Sequence, residues 1–215
     1  MSVLDTIRQL KLVPVIVIDD PNSAPDLGRA LVEGGLPCAE VTFRTAGARE
    51  ALSRLTGECP DVLAGAGTVL TPAQARDALD AGAKFIVAPG FNPGVVDYCL
   101  ENDVPVFPGI ATPTEIEAAM TRDLSVLKFF PAEPLGGVSY LKAISAPYGS
   151  LEFMPTGGIS IQNVGTYLAF SKVVACGGSW MAPAEWIAAG EFTRIAGEVR
   201  KAVVAVQVNN GAIRT

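Results

Sequence analysis

Among its 215 residues the chain has no histidine at all. That absence removes the commonest general base, the Ser-His and Cys-His nucleophile pairs, and the ligand of most zinc sites. Proton transfer then falls to Glu, Asp, Lys, Tyr or water. Charged residues make up only 18% and the net charge is −6, so there is no basic field to attract nucleic acid or an anionic membrane. The expectation is a small-molecule substrate with neither of those partners, and an anionic substrate would need a local site. No apolar run reaches the ~20 residues of a membrane helix. The opening MSVLDTIRQLKLVPVIVIDD lacks the basic start, long apolar stretch and small-residue cleavage site of a secretory signal. Cys38, Cys59, Cys99 and Cys176 form no C-x-x-C pair, which suits reduced thiols packed as small apolar groups. A cytoplasmic location is the expectation.

What is present is apolar. At 49% apolar residues the chain can bury a substantial core, and residues 1–215 read as a single domain. Eight short runs rich in Val, Ile and Phe recur along it: VPVIVI (13–18), CAEVTF (38–43), VLAGAGT (62–68), FIVAPG (85–90), VPVFPG (104–109), VLKFFP (126–131), EFMPTG (152–157) and VVACGG (173–178). Between them lie helix-start signals at Ser23, Thr71-Pro72, Asn92-Pro93, Thr112-Pro113, Ser160 and Ala182-Pro183. Eight near-continuously apolar strands alternating with helices predict an α/β fold, a parallel (β/α)8 TIM barrel, with a short N-terminal helix around residues 3–10 closing its bottom. An open doubly wound sheet is the alternative. Against it, Gly65-Ala66-Gly67-Thr68-Val69-Leu70 lacks the third glycine of the dinucleotide fingerprint.

A barrel carries its active site at the C-terminal ends of its strands, so polar residues late in apolar strands are the candidates. Lys128, in Val126-Leu127-Lys128-Phe129-Phe130-Pro131, is either a margin lysine snorkelling to water or a desolvated amine able to attack a carbonyl. Glu40, Thr42 and Arg44 alternate along the second run and so point to one face. Four residues of strand span about 13 Å, too far for Glu40 and Arg44 to pair. Each then needs another partner, and a bound substrate is one. Thr68 and Pro89 close the third and fourth runs, where either could equally be turn chemistry. Gly157-Gly158 and Gly177-Gly178-Ser179 end the seventh and eighth runs, where such barrels bind phosphate through backbone N–H groups and a helix N-terminus. Tight turns are the bland explanation of each glycine pair alone. Trp180 and Trp186 read as packing or interface residues.

Together, VPVIVI, EVTFRT, GAGTVL, APGFNP, PGIATPTE, KFFPAE, MPTGGIS and GGSWMAP resemble the 2-keto-3-deoxy-6-phosphogluconate aldolase family, also called 4-hydroxy-2-oxoglutarate aldolases, over residues 13–183. The resemblance implies a class I aldolase with Lys128 forming the Schiff base and Glu40 as general acid and base. It further implies that Arg44 and Thr68 hold the keto-acid carboxylate, that Pro89 and Phe130 shape the pocket, and that Thr156 contacts substrate. Gly158, Gly178 and Ser179, with Gly157 and Gly177 beside them, would bind the phosphate. Products would be pyruvate and glyceraldehyde 3-phosphate, with no metal and no organic cofactor; the assembly implied is a homotrimer. Phe43, Ala88 and Met154 depart from the family's usual leucine, serine and cysteine without removing a charged or nucleophilic group. The tail 208–215 has no evident family role and is a candidate for disorder. Rival readings are a metal-dependent aldolase, which EDTA would inhibit, a phosphosugar isomerase, which needs no strand lysine, and a non-catalytic oligomeric scaffold, which would bind no pyruvate.

Overall fold

The computed structural model describes the backbone of residues 1–212 and the side chains through Gln207. Among the described residues there are nine parallel strand segments, separated by helices except between the fifth and sixth: β1 (Leu12–Ile16), β2 (Cys38–Thr42), β3 (Leu63–Gly67), β4 (Ile86–Val87), β5 (Val106–Phe107), β6 (Gly109–Ile110), β7 (Val126–Phe129), β8 (Glu152–Pro155) and β9 (Cys176–Gly178). They form a curled α/β arrangement of two sheets, ordered β5-β4-β3-β2-β1-β9 and β6-β7-β8. The first and last runs are neighbours through β1 and β9, unlike the strand order of an open doubly wound sheet. Eight continuous strands are not what the ladder shows. The fifth run is broken at Pro108, because proline has no N–H to donate. The Pro108 carbonyl still accepts from Lys128 N at 2.9 Å. Between β8 and the last run, pairing is reduced to isolated bridges at Phe153–Val173 and Thr156–Gly177.

The short N-terminal helix is present as α1 (Val3–Leu10), with Ser2 and Asp5 forming a reciprocal capping box. Fully buried Ile7 on α1 meets one apolar layer from the strands: Val13, Cys38, Phe85, Val87, Phe107, Val126, Met154, Val174 and Ala175. Burying that one side chain is worth roughly 1.5–3 kcal/mol. Successive strand residues point to opposite faces, so the positions two residues further along face the interior one level higher. Those positions include Val15, Glu40, Lys128 and Thr156. The plug at the bottom therefore fixes which residues reach the top.

The outer helices are α2 (Ala24–Glu33), α3 (Ala48–Glu58), α4 (Pro72–Asp80), α5 (Pro93–Glu101), α6 (Pro113–Met120), α7 (Gly137–Ser145), α8 (Val164–Leu168), α9 (Ala184–Ala188) and α10 (Phe192–Ala212). Thr71, Asn92 and Thr112 cap α4, α5 and α6 through their side chains, as their sequence context predicts. Ser23 makes no cap, since Asp20 has already started a 3-10 turn ahead of it, and Pro183 precedes α9 without a side-chain cap. Ser160 does not start α8; its N–H instead donates to Asn163, three residues on. The composition of the tail 208–215 suggests disorder, but α10 continues through Ala212; residues 213–215 lie outside the described residues. No helix among the described residues is long and apolar enough to cross a membrane.

All four cysteines are free and buried. Burial pushes the Cys38 thiol up to about 12, with the nearby Glu40 charge adding to it, and burial alone pushes Cys99 to about 11. Cys59 and Cys176 are raised as well, again chiefly by burial. Thiolate is the reactive form, so at pH 8 the native protein is expected to give less than about one thiol to a chromogenic disulfide, and all four after denaturation. Rapid reaction of two or more thiols in the native protein would contradict this packing.

Candidate active site

Glu40 on β2 and Lys128 on β7 are 0% and 4% exposed, and Lys128 Nζ lies 3.3 Å from Glu40 Oε1. Of the two readings of Lys128, the buried amine is the observed one. Burying two charges is costly unless they pair and satisfy their remaining valences, and here they do so only in part. The Glu40 Oε2 atom is buried without a hydrogen-bond partner among the described residues. A carboxylate that spends one oxygen on the amine and keeps the other free is equipped to accept a proton and pass it on. The adjoining strand makes room for it: a Cβ on Gly67 would come within 2.2 Å of Glu40 Oε1. Lys128 Nζ also sits 5.2 Å from the centre of the Phe130 ring.

Neither Glu40 nor Lys128 lines the neighbouring cleft of about 160 Å³; the pair reaches it through Phe130, whose ring faces Lys128 Nζ, and through Val15, which is registered with Glu40. Its lining includes Arg44, Phe130, Thr156 and Ser179 together with Gly157, Gly158 and Gly178. Sequence reasoning missed its apolar walls, Val15, Val17 and Ile159. The alternation from Val13 through Val15 to Val17 could have identified the first two.

Arg44 is not on the strand, as the alternation predicts, but in the turn beyond β2, where its N–H donates to the Thr42 carbonyl at 2.8 Å. It is exposed, and its Nε donates to Thr68 Oγ1 at 3.1 Å rather than to Glu40. Thr68 itself has φ +56°, a left-handed conformation that costs a β-branched residue roughly 1–3 kcal/mol. Thr156 is 6% exposed, lines the cleft, and has a hydroxyl with no partner among the described residues. Gly177 bridges to Thr156, and its missing Cβ leaves space for that hydroxyl. Pro89 follows β4 and is outside the cleft lining, with its carbonyl packed on the Gly109 backbone.

The N–H groups of Gly157, Gly158 and Ser179 find no acceptor among the described residues. The sequence also predicts a helix N-terminus beside these glycine loops, but α8 starts only at Val164 and α9 at Ala184. The ring of Trp180 lies directly against Gly178, and Trp186 stacks with Arg194 at 3.8 Å, both packing roles. Among the described residues no group of three Cys, Asp or Glu side chains is placed to hold a metal ion.

A buried amine 3.3 Å from a carboxylate on an α/β parallel-sheet fold is the equipment of a lyase that works through a lysine imine. The family described as KDPG and KHG aldolase matches residues 3–197. The 2-dehydro-3-deoxy-phosphogluconate aldolase of Treponema pallidum (strain Nichols) is 50% identical over 195 residues, covering 91% of this chain and 93% of its own. The KHG/KDPG aldolase of Escherichia coli (strain K12) is 42% identical over 192 residues, 89% of this chain and 90% of its own. A KDPG aldolase from Legionella pneumophila, with pyruvate captured at low pH as a covalent carbinolamine intermediate, superposes with a TM-score of 0.88 at 37% identity, covering 92% of this chain and 96% of its own. The chain belongs to the KDPG and KHG aldolase family.

Proposed function

We propose that this chain is a class I aldolase that cleaves 2-dehydro-3-deoxy-6-phosphogluconate to pyruvate and glyceraldehyde 3-phosphate. It also cleaves 4-hydroxy-2-oxoglutarate to pyruvate and glyoxylate. The observation that carries the reading is the buried Lys128–Glu40 pair at 3.3 Å. Lys128 passes a proton to Glu40 and adds to the C2 carbonyl, its second proton moving to the C2 oxygen. Glu40 returns its proton to that oxygen, which departs as water and leaves an iminium. The carboxylate then takes the C4 hydroxyl proton; the C3–C4 bond breaks, its electron pair forms the enamine, and the aldehyde leaves. Glu40 delivers the proton to C3, and water hydrolyses the iminium to pyruvate and free lysine.

The remaining residues bind. Arg44, oriented by Thr68, takes the keto-acid carboxylate, because its planar fork holds two oxygens and stays charged throughout. Phe130 bounds the pyruvate end, with Pro89 acting only from behind the cleft lining, and Thr156, with its free hydroxyl, contacts the sugar and favours the gluconate over the galactonate epimer by family analogy. The N–H groups of Gly157, Gly158 and Ser179 take the phosphate, with Gly178 lining the same cleft and Gly177 giving Thr156 its room. The two sheets read as one eight-stranded (β/α)8 barrel interrupted at Pro108 and at the β8–β9 seam, and the assembly as a cytoplasmic homotrimer.

The test is a coupled assay of pyruvate release from 2-dehydro-3-deoxy-6-phosphogluconate in the presence of EDTA. Turnover unaffected by the chelator is expected; release that depends on an added divalent ion would overturn the imine route in favour of a metal-dependent aldolase. Arg44→Ala is expected to raise KM for the keto acid while Lys128 still forms its imine. Losing a charged hydrogen-bonding group of roughly 1.5–3 kcal/mol corresponds to about a tenfold to hundredfold change. An unchanged KM would place the carboxylate elsewhere.

A further inference from the structure

Behind the glycine loop is a contact that the mechanism does not use. Glu133, in the turn after β7, is exposed, yet its Oε1 accepts a hydrogen bond from the hydroxyl of Tyr167, which is 1% exposed on α8. Glu133 is also tied to the loop by its backbone. Its N–H donates to the Gly157 carbonyl at 3.0 Å, and the preceding Ala132 N–H donates to the Thr156 carbonyl at 2.8 Å. Its side-chain stem lies against Gly158, where a Cβ would come within 2.6 Å of Glu133 Cβ; at φ +79° that position favours glycine independently. Asn163 Nδ2 also donates to the Gly158 carbonyl, at 3.0 Å. The loop proposed to hold a phosphate dianion therefore rests on a carboxylate, and a carboxylate free to swing into the cleft would repel that dianion. It does not line the cleft. Burial and the hydrogen bond to Glu133 raise the tyrosine's ionisation well above its usual range, so the hydroxyl remains a donor at any working pH.

We propose that Tyr167 and Glu133 are a positioning pair that braces the Gly157–Gly158 loop and holds the Glu133 carboxylate turned away from the anion pocket. This rests on the reading of that loop as the phosphate site. Neither residue touches substrate; both act through the loop. The pair therefore governs affinity for the phosphorylated end and leaves the chemistry at Lys128 alone.

The experiment compares the unmodified protein with Tyr167→Phe, Glu133→Gln and the double variant. It measures KM and kcat for the phosphorylated substrate, competitive inhibition by inorganic phosphate, and the yield of borohydride-trapped pyruvate on Lys128. Tyr167→Phe is expected to raise KM and weaken phosphate inhibition about tenfold, the scale of a lost hydrogen bond to a charged group, with the pyruvate adduct unchanged. Adding Glu133→Gln to Tyr167→Phe should recover most of the phosphate inhibition, because the released side chain no longer carries charge; mere loosening of the loop would not be reversed. Glu133→Gln alone keeps an acceptor for Tyr167 and should leave phosphate inhibition within about twofold. An unchanged KM in Tyr167→Phe, no recovery in the double variant, or a tenfold loss in Glu133→Gln alone each overturns the pair. Absence of phosphate inhibition in the unmodified protein, with the pyruvate adduct present, refutes the anion pocket itself and the inference with it.

Discussion

Lys128→Ala is expected to lose cleavage activity by roughly 10⁴-fold or more and to form no imine with pyruvate, since no other group at the site can supply the covalent electron sink. Loss of activity alone would be weak support, because the substitution also removes the partner of a fully buried carboxylate. Stranding Glu40 in that way costs about 3–5 kcal/mol, enough to threaten the fold. The double variant Lys128→Met with Glu40→Gln separates the two effects. It replaces a buried ion pair with neutral groups of similar length, so its thermal midpoint should equal or exceed that of the single variant while activity stays at background. Activity returning in the double variant would remove Lys128 from the chemistry.

The second large effect is at Glu40. Glu40→Gln keeps the size of the side chain and one hydrogen-bonding oxygen for Lys128 but cannot carry a proton between steps. A positioned acid–base group contributes about 10²–10⁴-fold, so kcat is expected to fall by that factor with KM little changed. The imine with pyruvate should still form, though slowly, because the amine remains in place. Single-turnover trapping separates slow imine formation from its absence. A kcat within a fewfold of the parent would move the proton transfers to a different group or to water.

Lys128 and Glu40 were legible as candidates because each breaks a local pattern, while the roles proposed for them came with the family resemblance. Lys128 interrupts the apolar run VLKFFP, and Glu40 sits on the interior face of CAEVTF, where burial without a partner is unaffordable. The helix caps at Thr71, Asn92 and Thr112 were legible for the same reason, since each is a contact spanning two or three residues. What the sequence did not reveal depends on distance or on ladder geometry. Pro108 reads as the tail of one strand, but its missing N–H divides that run between two sheets. Arg44 follows the alternation on paper, whereas the Thr42 carbonyl turns the chain one residue earlier. The Tyr167–Glu133 bond joins residues 34 apart, which no local signature records. The motif KFFPAE carries Glu133 without giving any reason for it.

The most direct measurement of the central claim is to incubate the protein with pyruvate, add borohydride, and determine the intact mass and the modified peptide. Reduction fixes only an imine that has formed. One pyruvate-derived adduct, located on Lys128, is the expected result. A folded protein that gains no adduct, or gains it on another lysine, would contradict the imine mechanism at Lys128.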